Sequence, residues 1–219
     1  MNVIELFAGT RSISKAFERA GIKSHTVEWD IVHPNIDWYA NIRDITADDL
    51  VQRFGVPDVI WASPPCQSYS VAAIGHHRYK GDDGELKPKT EFAKQSDELL
   101  AHVLDIIFEI GWKYNPKLIY FIENPRAGMR KMKCLEGIPR YTVTYCKYGD
   151  KRMKPTDIWT NHKNPDFIPP CKNGDPCHET AHRGTRCGTQ GLKGAIERAR
   201  IPDGFCDHIV EICKRQLEA

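Results

Sequence analysis

Val3-Ile4-Glu5-Leu6-Phe7-Ala8-Gly9-Thr10-Arg11-Ser12 begins as an apolar run, passes through small residues and ends on a hydroxyl that starts helices well. Residues 3–7 read as a short buried strand, 8–11 as a tight turn, and Ser12 as the N-cap of a helix that runs to residue 20 and stops at Gly21. The alternation continues outward. Residues 25–28 form a second strand with Trp29-Asp30 at its end, Thr46 opens a helix over 46–54 with acids in its first turn, and 58–62 is a buried strand. Leu99, Leu100, Val103, Ile106, Ile107 and Ile110 recur at helical spacing within 95–113, and 118–122 is another buried strand. Strands alternating with helices predict an α/β fold with a doubly wound, mostly parallel sheet. Residues 141–146 and 156–159 are expected to pair as a hairpin at one edge, and 197–217 to supply a final turn and helix.

At 219 residues the chain holds one such core and little more. Residues 1–160 are expected to make it, 161–190 a small Cys/His-rich region, and 191–219 a segment returning to the core. Between 67 and 94 the composition turns to Gly, Lys, His and Asp without periodicity, which predicts a mobile lid. Its His76, His77, Arg78, Lys80, Lys87 and Lys89 form a local basic cluster suited to phosphates, or simply a solvated loop.

With 41% apolar and 27% charged residues the composition is that of a globular protein, not a disordered one. The apolar stretch around Ile106 is broken by Glu109, so no bilayer span is expected, and Met1-Asn2-Val3-Ile4-Glu5 lacks the basic start of a secretory signal. The net charge of +2 means that any surface for a polyanion must be local. Eight cysteines without a secretory signal read as reduced thiols for packing, metal binding or catalysis.

In a doubly wound sheet, ligands bind beyond the carboxyl ends of the strands. Gly9 there lets backbone approach a ligand, and Glu28, nineteen positions later, stands where an acid meets ribose hydroxyls in nucleotide-binding units. Trp29 could cover an adenine face. Cys66 follows Pro64-Pro65, whose fixed φ holds the thiol in place, and a positioned thiol attacks electron-poor carbon better than any hydroxyl near neutral pH. Glu123 ends the neighbouring strand, where a carboxyl can bond a pyrimidine ring nitrogen. Each feature alone has a plainer reading as packing or a strand-end cap; together they point to one site.

The segments Glu5-Leu6-Phe7-Ala8-Gly9, Ser63-Pro64-Pro65-Cys66-Gln67-Ser68 and Glu123-Asn124-Pro125, in this order and spacing, resemble the first, fourth and sixth motifs of the cytosine-5 DNA methyltransferases. The likeness extends over residues 2–159 and more faintly into the tail. It implies a Rossmann-like, S-adenosylmethionine-dependent enzyme acting on cytosine in duplex DNA. Phe7, Ala8 and Gly9 would contact the methionine and adenosine portions, Glu28 the ribose, Trp29 the adenine, and Asp44 with Ile45 the adenine edge; Thr10, Arg11 and Pro64 complete the expected cofactor set. Cys66 would add to carbon 6 of a flipped cytosine with Glu123 on ring nitrogen 3; carbon 5 then attacks the methyl group, a base removes its proton, and Cys66 leaves.

The chain departs from the family at three places. Thr10-Arg11-Ser12 replaces further glycines and puts a cation near the cofactor, Pro125 replaces the usual valine, and Tyr148-Gly149-Asp150-Lys151-Arg152 only approximates the glutamine-arginine-x-arginine run, with Arg152 as the expected ring-orienting cation. The short region 161–190 implies relaxed sequence specificity and a bacteriophage-like or mobile-element origin, hence the cytoplasm of a bacterial or virus-infected cell. Cys171, Cys177, His178, His182 and Cys187 within it suit a structural zinc ion, with unligated thiols as the other reading. The rival functions are the same chemistry on tRNA, a catalytically inactive zinc-containing nucleic-acid-binding protein, and transfer to an exocyclic amine, which Ser63-Pro64-Pro65-Cys66 fits poorly.

Overall fold

The computed structural model describes residues 1–179 and 194–218; His182 and Cys187 lie outside the described residues. Strands β1 (Asn2–Leu6), β2 (Lys23–Glu28), β3 (Trp38–Tyr39), β4 (Val59–Ala62), β7 (Ile119–Pro125), β8 (Arg140–Thr144) and β9 (Pro155–Thr160) form one seven-stranded sheet in the order β3-β2-β1-β4-β7-β9-β8. Pairing from β3 through β7 is parallel. β9 enters antiparallel between β7 and β8, so the expected edge hairpin is present and the fold is the doubly wound α/β type.

Both faces of the sheet are covered, which is why its strands read as continuous apolar runs. On one face Ile4, Leu6, Val27, Ile60, Ala62 and Ile122 pack with helices α2 (Ala47–Phe54) and α4 (Glu91–Lys113). On the other, Val3, Val59, Trp61, Phe121 and Ile158 pack with α1 (Ser12–Arg19) and α6 (Asp203–Glu218), the latter preceded by the short α5 (Ala195–Ala199). Thr46 and Asp49 make a capping box at the start of α2. α4 begins four residues before the expected start at 95, because Thr90 accepts from the N–H of Ala93 and caps it there. No described helix is long and apolar enough to cross a membrane.

Two expectations are corrected. Ser12 is the first residue of α1, not its cap; the helix start is satisfied from inside the sheet, where the Glu5 carboxylate accepts from the N–H groups of Ser14 (2.8 Å) and Ile13 (3.3 Å). The segment 67–94 is not a structureless lid. It contains a 3-10 turn (Gln67–Tyr69), a helical turn α3 (Ile74–His77) and a hairpin of β5 (Arg78–Lys80) with β6 (Leu86–Pro88). Arg78 pins it. The guanidinium is buried, makes two hydrogen bonds to the Asp97 carboxylate (2.7 and 3.0 Å), donates to the Ser68 carbonyl and hydroxyl, and lies 4.2 Å from the centre of the Tyr69 ring. Arg78 is therefore lost to any phosphate-binding cluster, and Lys87 is paired with Asp83, which leaves Lys80 and Lys89 as its exposed cations.

Candidate active site

The turn from β1 to α1 is strained. Phe7, Gly9 and Arg11 have φ of 57°, 46° and 58°, a left-handed conformation that costs a non-glycine residue roughly 1–2 kcal/mol. Glu28, at the end of the neighbouring β2, holds the turn in place. One of its oxygens accepts from the N–H of Gly9 (3.0 Å) and the other from those of Trp29 (2.9 Å) and Asp30 (3.1 Å). Of the roughly four acceptor positions of a carboxylate, one is left for a ribose hydroxyl. The Trp29 ring beside it is 68% exposed.

The other cofactor-side residues separate. Asp44 is exposed in a 3-10 turn (Ile42–Asp44), whereas the Ile45 side chain is buried in the core and its carbonyl accepts from His102 Nε2 (2.9 Å), so only the carboxylate faces outward. The Arg11 guanidinium pairs with Glu18 on α1. Thr10 bonds Ser12 through their hydroxyls (2.8 Å), and Ala8 is buried, its N–H donated to the Val27 carbonyl (3.1 Å).

The base side is built on β4 and β7, which run in parallel register through Trp61–Phe121 and Ala62–Ile122. Ser63 and Glu123 each lie one residue beyond that register, and the Ser63 hydroxyl accepts from Trp61 Nε1 (2.8 Å). The Asn124 amide donates to the carbonyl of buried Pro64 (2.9 Å), which ties the proline run to the strand carrying Glu123. Asn124 Oδ1 is buried without a protein partner. Cys66 follows, half-buried, at the head of the 3-10 turn.

The electrostatics couple these groups. Glu123 is 6% exposed, and burial raises its carboxyl above the ordinary range; the Lys154 charge and hydrogen bonds from Tyr145 (3.1 Å) and Ser63 oppose that rise. Burial likewise pushes the Cys66 thiol up, and a negative Glu123 pushes it further, while Lys154 and Arg198 pull it down. A proton on Glu123 would therefore favour the thiolate.

Lys154 is the residue that sequence reasoning missed. It is buried, has φ of 30°, donates from Nζ to the Arg198 carbonyl (2.9 Å), and its ammonium lies 4.9 Å from the centre of the Tyr145 ring. Burial lowers its pKa, and the Glu123 charge opposes that fall in part. Arg152, the expected cation, gives Nε (2.9 and 3.0 Å) and one terminal nitrogen (2.5 Å) to Asp150 and the other terminal nitrogen (3.4 Å) to the Arg198 carbonyl that also accepts from Lys154. Asp150 lies two residues earlier and captures the arginine locally; Lys154 is the cation that turns inward.

The sequence also gave no weight to a groove of about 430 Å³ lined by Arg130, Lys131, Lys133 and Arg140, with Trp159 in its wall. Arg130 is paired with Asp157 and Lys133 with Glu85, which leaves Lys131 and Arg140 as its exposed cations with no ion pair among the described residues, beside the exposed Glu136.

Comparison with known proteins bears on the family and the fold. Residues 1–136 match the model of a family described as C-5 cytosine-specific DNA methylase. A probable DNA (cytosine-5)-methyltransferase of Frog virus 3 (isolate Goorha) is 29% identical, over 97% of this chain and 100% of that one. Among solved structures, the Entamoeba histolytica methyltransferase EhMeth matches with a TM-score of 0.54 at 15% identity, over 78% of this chain and 57% of its own. The S. pombe Dnmt2 methyltransferase matches with a TM-score of 0.49 at 14% identity, over 73% of this chain and 48% of its own. The chain thus spans about half the length of these two structures, and EhMeth supports the fold assignment. Because the family model takes in both Cys66 and Glu123 and well over half the residues, the chain belongs to the C-5 cytosine-specific DNA methylases.

Proposed function

We propose that this protein is a DNA cytosine-5 methyltransferase that takes its methyl group from S-adenosylmethionine and uses Cys66 as the nucleophile on a cytosine flipped out of duplex DNA. The observation that carries the reading is the placement of Cys66 and Glu123 beyond the register of the neighbouring parallel strands β4 and β7, tied by the Asn124 amide on the Pro64 carbonyl, with the buried Lys154 ammonium against the Tyr145 ring whose hydroxyl donates to Glu123.

The residues present fit the cofactor. The strained turn at Phe7, Gly9 and Arg11 presents backbone at the end of β1, the exposed Trp29 ring offers a stacking face, and Asp44 an outward carboxylate. When bound, S-adenosylmethionine supplies an electrophilic methyl group on its sulfonium.

The chain's own residues supply the rest. Glu123, whose hold on a proton burial strengthens, donates in its protonated form to ring nitrogen 3 and makes carbon 6 electrophilic. The Cys66 thiolate forms a bond to carbon 6, and the electron pair moves to carbon 5, the position to be alkylated. Loss of the carbon 5 proton then expels Cys66 and restores the ring. We assign to Lys154, in place of Arg152, the cation that steadies Glu123 through the cycle. Extruding the base costs a few kcal/mol, and the exposed Lys80, Lys89, Lys131 and Arg140 are available to phosphates. This reading places the protein in the cytoplasm of a bacterial or virus-infected cell.

A duplex carrying 5-fluorocytosine, incubated with the protein and S-adenosylmethionine, tests it by mass spectrometry, because fluorine cannot leave as the proton does. The expected product is a methylated protein–DNA adduct at Cys66 that is absent from Cys66→Ser. Methyl transfer that survives in Cys66→Ser, or an adduct with tRNA and none with DNA, overturns the assignment.

A further inference from the structure

Four side chains that methyl transfer does not use converge near the β8 edge of the sheet. Cys146 lies in the 3-10 turn (Tyr145–Tyr148) directly after β8, whereas Cys171, Cys177 and His178 belong to the irregular segment after β9. Their three sulfurs and the His178 Nδ1 all lie within 4.8 Å of one another. Cys146 Sγ is 3.2 Å from Cys171 Sγ and 3.6 Å from Cys177 Sγ, and His178 Nδ1 is 3.7 Å from the sulfurs of both Cys171 and Cys177. A tetrahedron with zinc bonds of about 2.3 Å to sulfur and about 2.0 Å to nitrogen has edges of roughly 3.5–3.8 Å. The sulfurs stand far outside the ~2.05 Å of a disulfide. No carboxylate belongs to the group, and thiolate with imidazole selects Zn²⁺ over oxygen-seeking Ca²⁺ or Mg²⁺.

We propose that Cys146, Cys171, Cys177 and His178 form a structural Zn²⁺ site that staples the segment after β9 to the wall of the base pocket. Four protein ligands close the coordination sphere, which makes the site structural and not catalytic. The segment has little else to hold it: across residues 168–179 Cys171 is the one buried side chain, and no helix or strand forms. The neighbourhood is already ordered around the sulfurs, since the Cys171 N–H donates to Thr144 Oγ1 (3.0 Å) at the end of β8. Cys146 directly follows Tyr145, whose hydroxyl donates to Glu123, so the metal would fasten the segment to the same turn that touches the carboxyl.

Cys146 makes the proposal specific, because the sequence does not group it with the other three. Full-length protein, prepared without a metal-affinity step and kept reduced, is expected to carry one zinc per chain by elemental analysis. Replacing the zinc with Co²⁺ is expected to give the visible bands of a tetrahedral ion and a thiolate charge-transfer band. Cys146→Ser, Cys177→Ser and His178→Ala should each lose most of the metal, while Cys134→Ser and Cys213→Ser keep it. Should the ligand variants fold poorly, the wild-type protein still decides. Chelation is expected to speed amide exchange in residues 168–179 and to leave α4 unchanged. Zinc far below one per chain with no tetrahedral Co²⁺ spectrum, full metal content in Cys146→Ser, or a Cys146–Cys171 disulfide seen as the loss of two hydrogens overturns the site.

Discussion

Glu5 and Glu123 lie in parallel strands of one sheet and face the same layer, since Glu5 pairs in register with Trp61, Trp61 with Phe121, and Glu123 follows Phe121 by two. Both are almost fully buried, at 2% and 6% exposure, and burial raises both carboxyls. They differ in what they touch. Glu5 accepts from two backbone N–H groups fixed at the start of α1 and feels the Ser14 hydroxyl besides, whereas Glu123 meets side chains alone: the hydroxyls of Tyr145 and Ser63 and the field of Lys154. A carboxyl bonded to backbone amides fixes the start of a helix, whereas one that meets side chains and a buried ammonium has surroundings that single substitutions can change. The same residue type at the same depth thus serves architecture at one strand and, in the proposed function, chemistry at another.

The comparison breaks or holds first on paired substitutions. Glu123→Gln keeps the shape but has no acidic proton, and a lost general acid typically costs 10²- to 10⁴-fold in rate, about 3–5 kcal/mol. Glu5→Gln should leave the methyl-transfer rate within a few-fold of the parent. Single-turnover methylation of a cytosine duplex measures both, and equal losses would end the distinction.

Next comes stability against pH. Glu5 rises from 4.5 to about 7 in the folded chain. Between those values the native state holds a proton that the unfolded chain has released, so the stabilisation present below pH 4.5 is lost as the pH rises through about 7. The shift corresponds to about 3 kcal/mol. Urea unfolding from pH 4 to 8 should show that decline, and Glu5→Gln should flatten it by about one proton's worth of slope. Glu123 acts in the same direction, so a remaining slope in Glu5→Gln that vanishes in the double variant assigns the rest.

Much of this arrangement was legible in the residues alone. Apolar runs ending at Phe7, Glu28, Ala62 and Ile122 announced strands buried on both faces, and Pro64-Pro65 announced a fixed thiol. The hairpin within 67–94 was not legible, because its cause is one buried arginine, Arg78, meeting Asp97 nineteen positions later on another element, which leaves no periodicity to read. Cys146 was missed for a similar reason: it lies 25 positions before Cys171 and joins it only because the turn after β8 comes back past the segment following β9. The choice between Arg152 and Lys154 rests on which one a nearby acid captures. Asp150 was in view, but its reach to Arg152 depends on the local turn.

That choice gives a smaller effect that sharpens the comparison from the Glu123 side. Lys154→Met removes the cation that lowers both Glu123 and Cys66, so both should titrate at higher pH and the rate profile should shift upward as a unit. A loss of about 10- to 100-fold at neutral pH, roughly 1.4–2.7 kcal/mol, is expected. Lys154→Arg should recover part of it. Arg152→Met should leave the profile in place, and a shifted profile there would return the role to Arg152.

The smallest effect separates the surroundings of the two carboxyls. Gly128 follows the strand that carries Glu123, and a methyl group on it would come within 2.8 Å of Ile74 Cδ1, 2.9 Å of Leu86 Cδ2 and 3.1 Å of the Tyr69 carbonyl. The first two are the ends of flexible side chains that can yield. The carbonyl is backbone and cannot, so Gly128→Ala should cost about 1 kcal/mol and push the 67–94 segment away from the turn after β7. Amides of β5 and β6 should then exchange faster, and the rate should fall a few-fold as the wall beside Cys66 loosens. The amides of Ile13 and Ser14, bonded to Glu5 at the far side of β4, should exchange as before; if they quicken too, the surroundings of β1 and β7 loosen together and the division between the two carboxyls is lost.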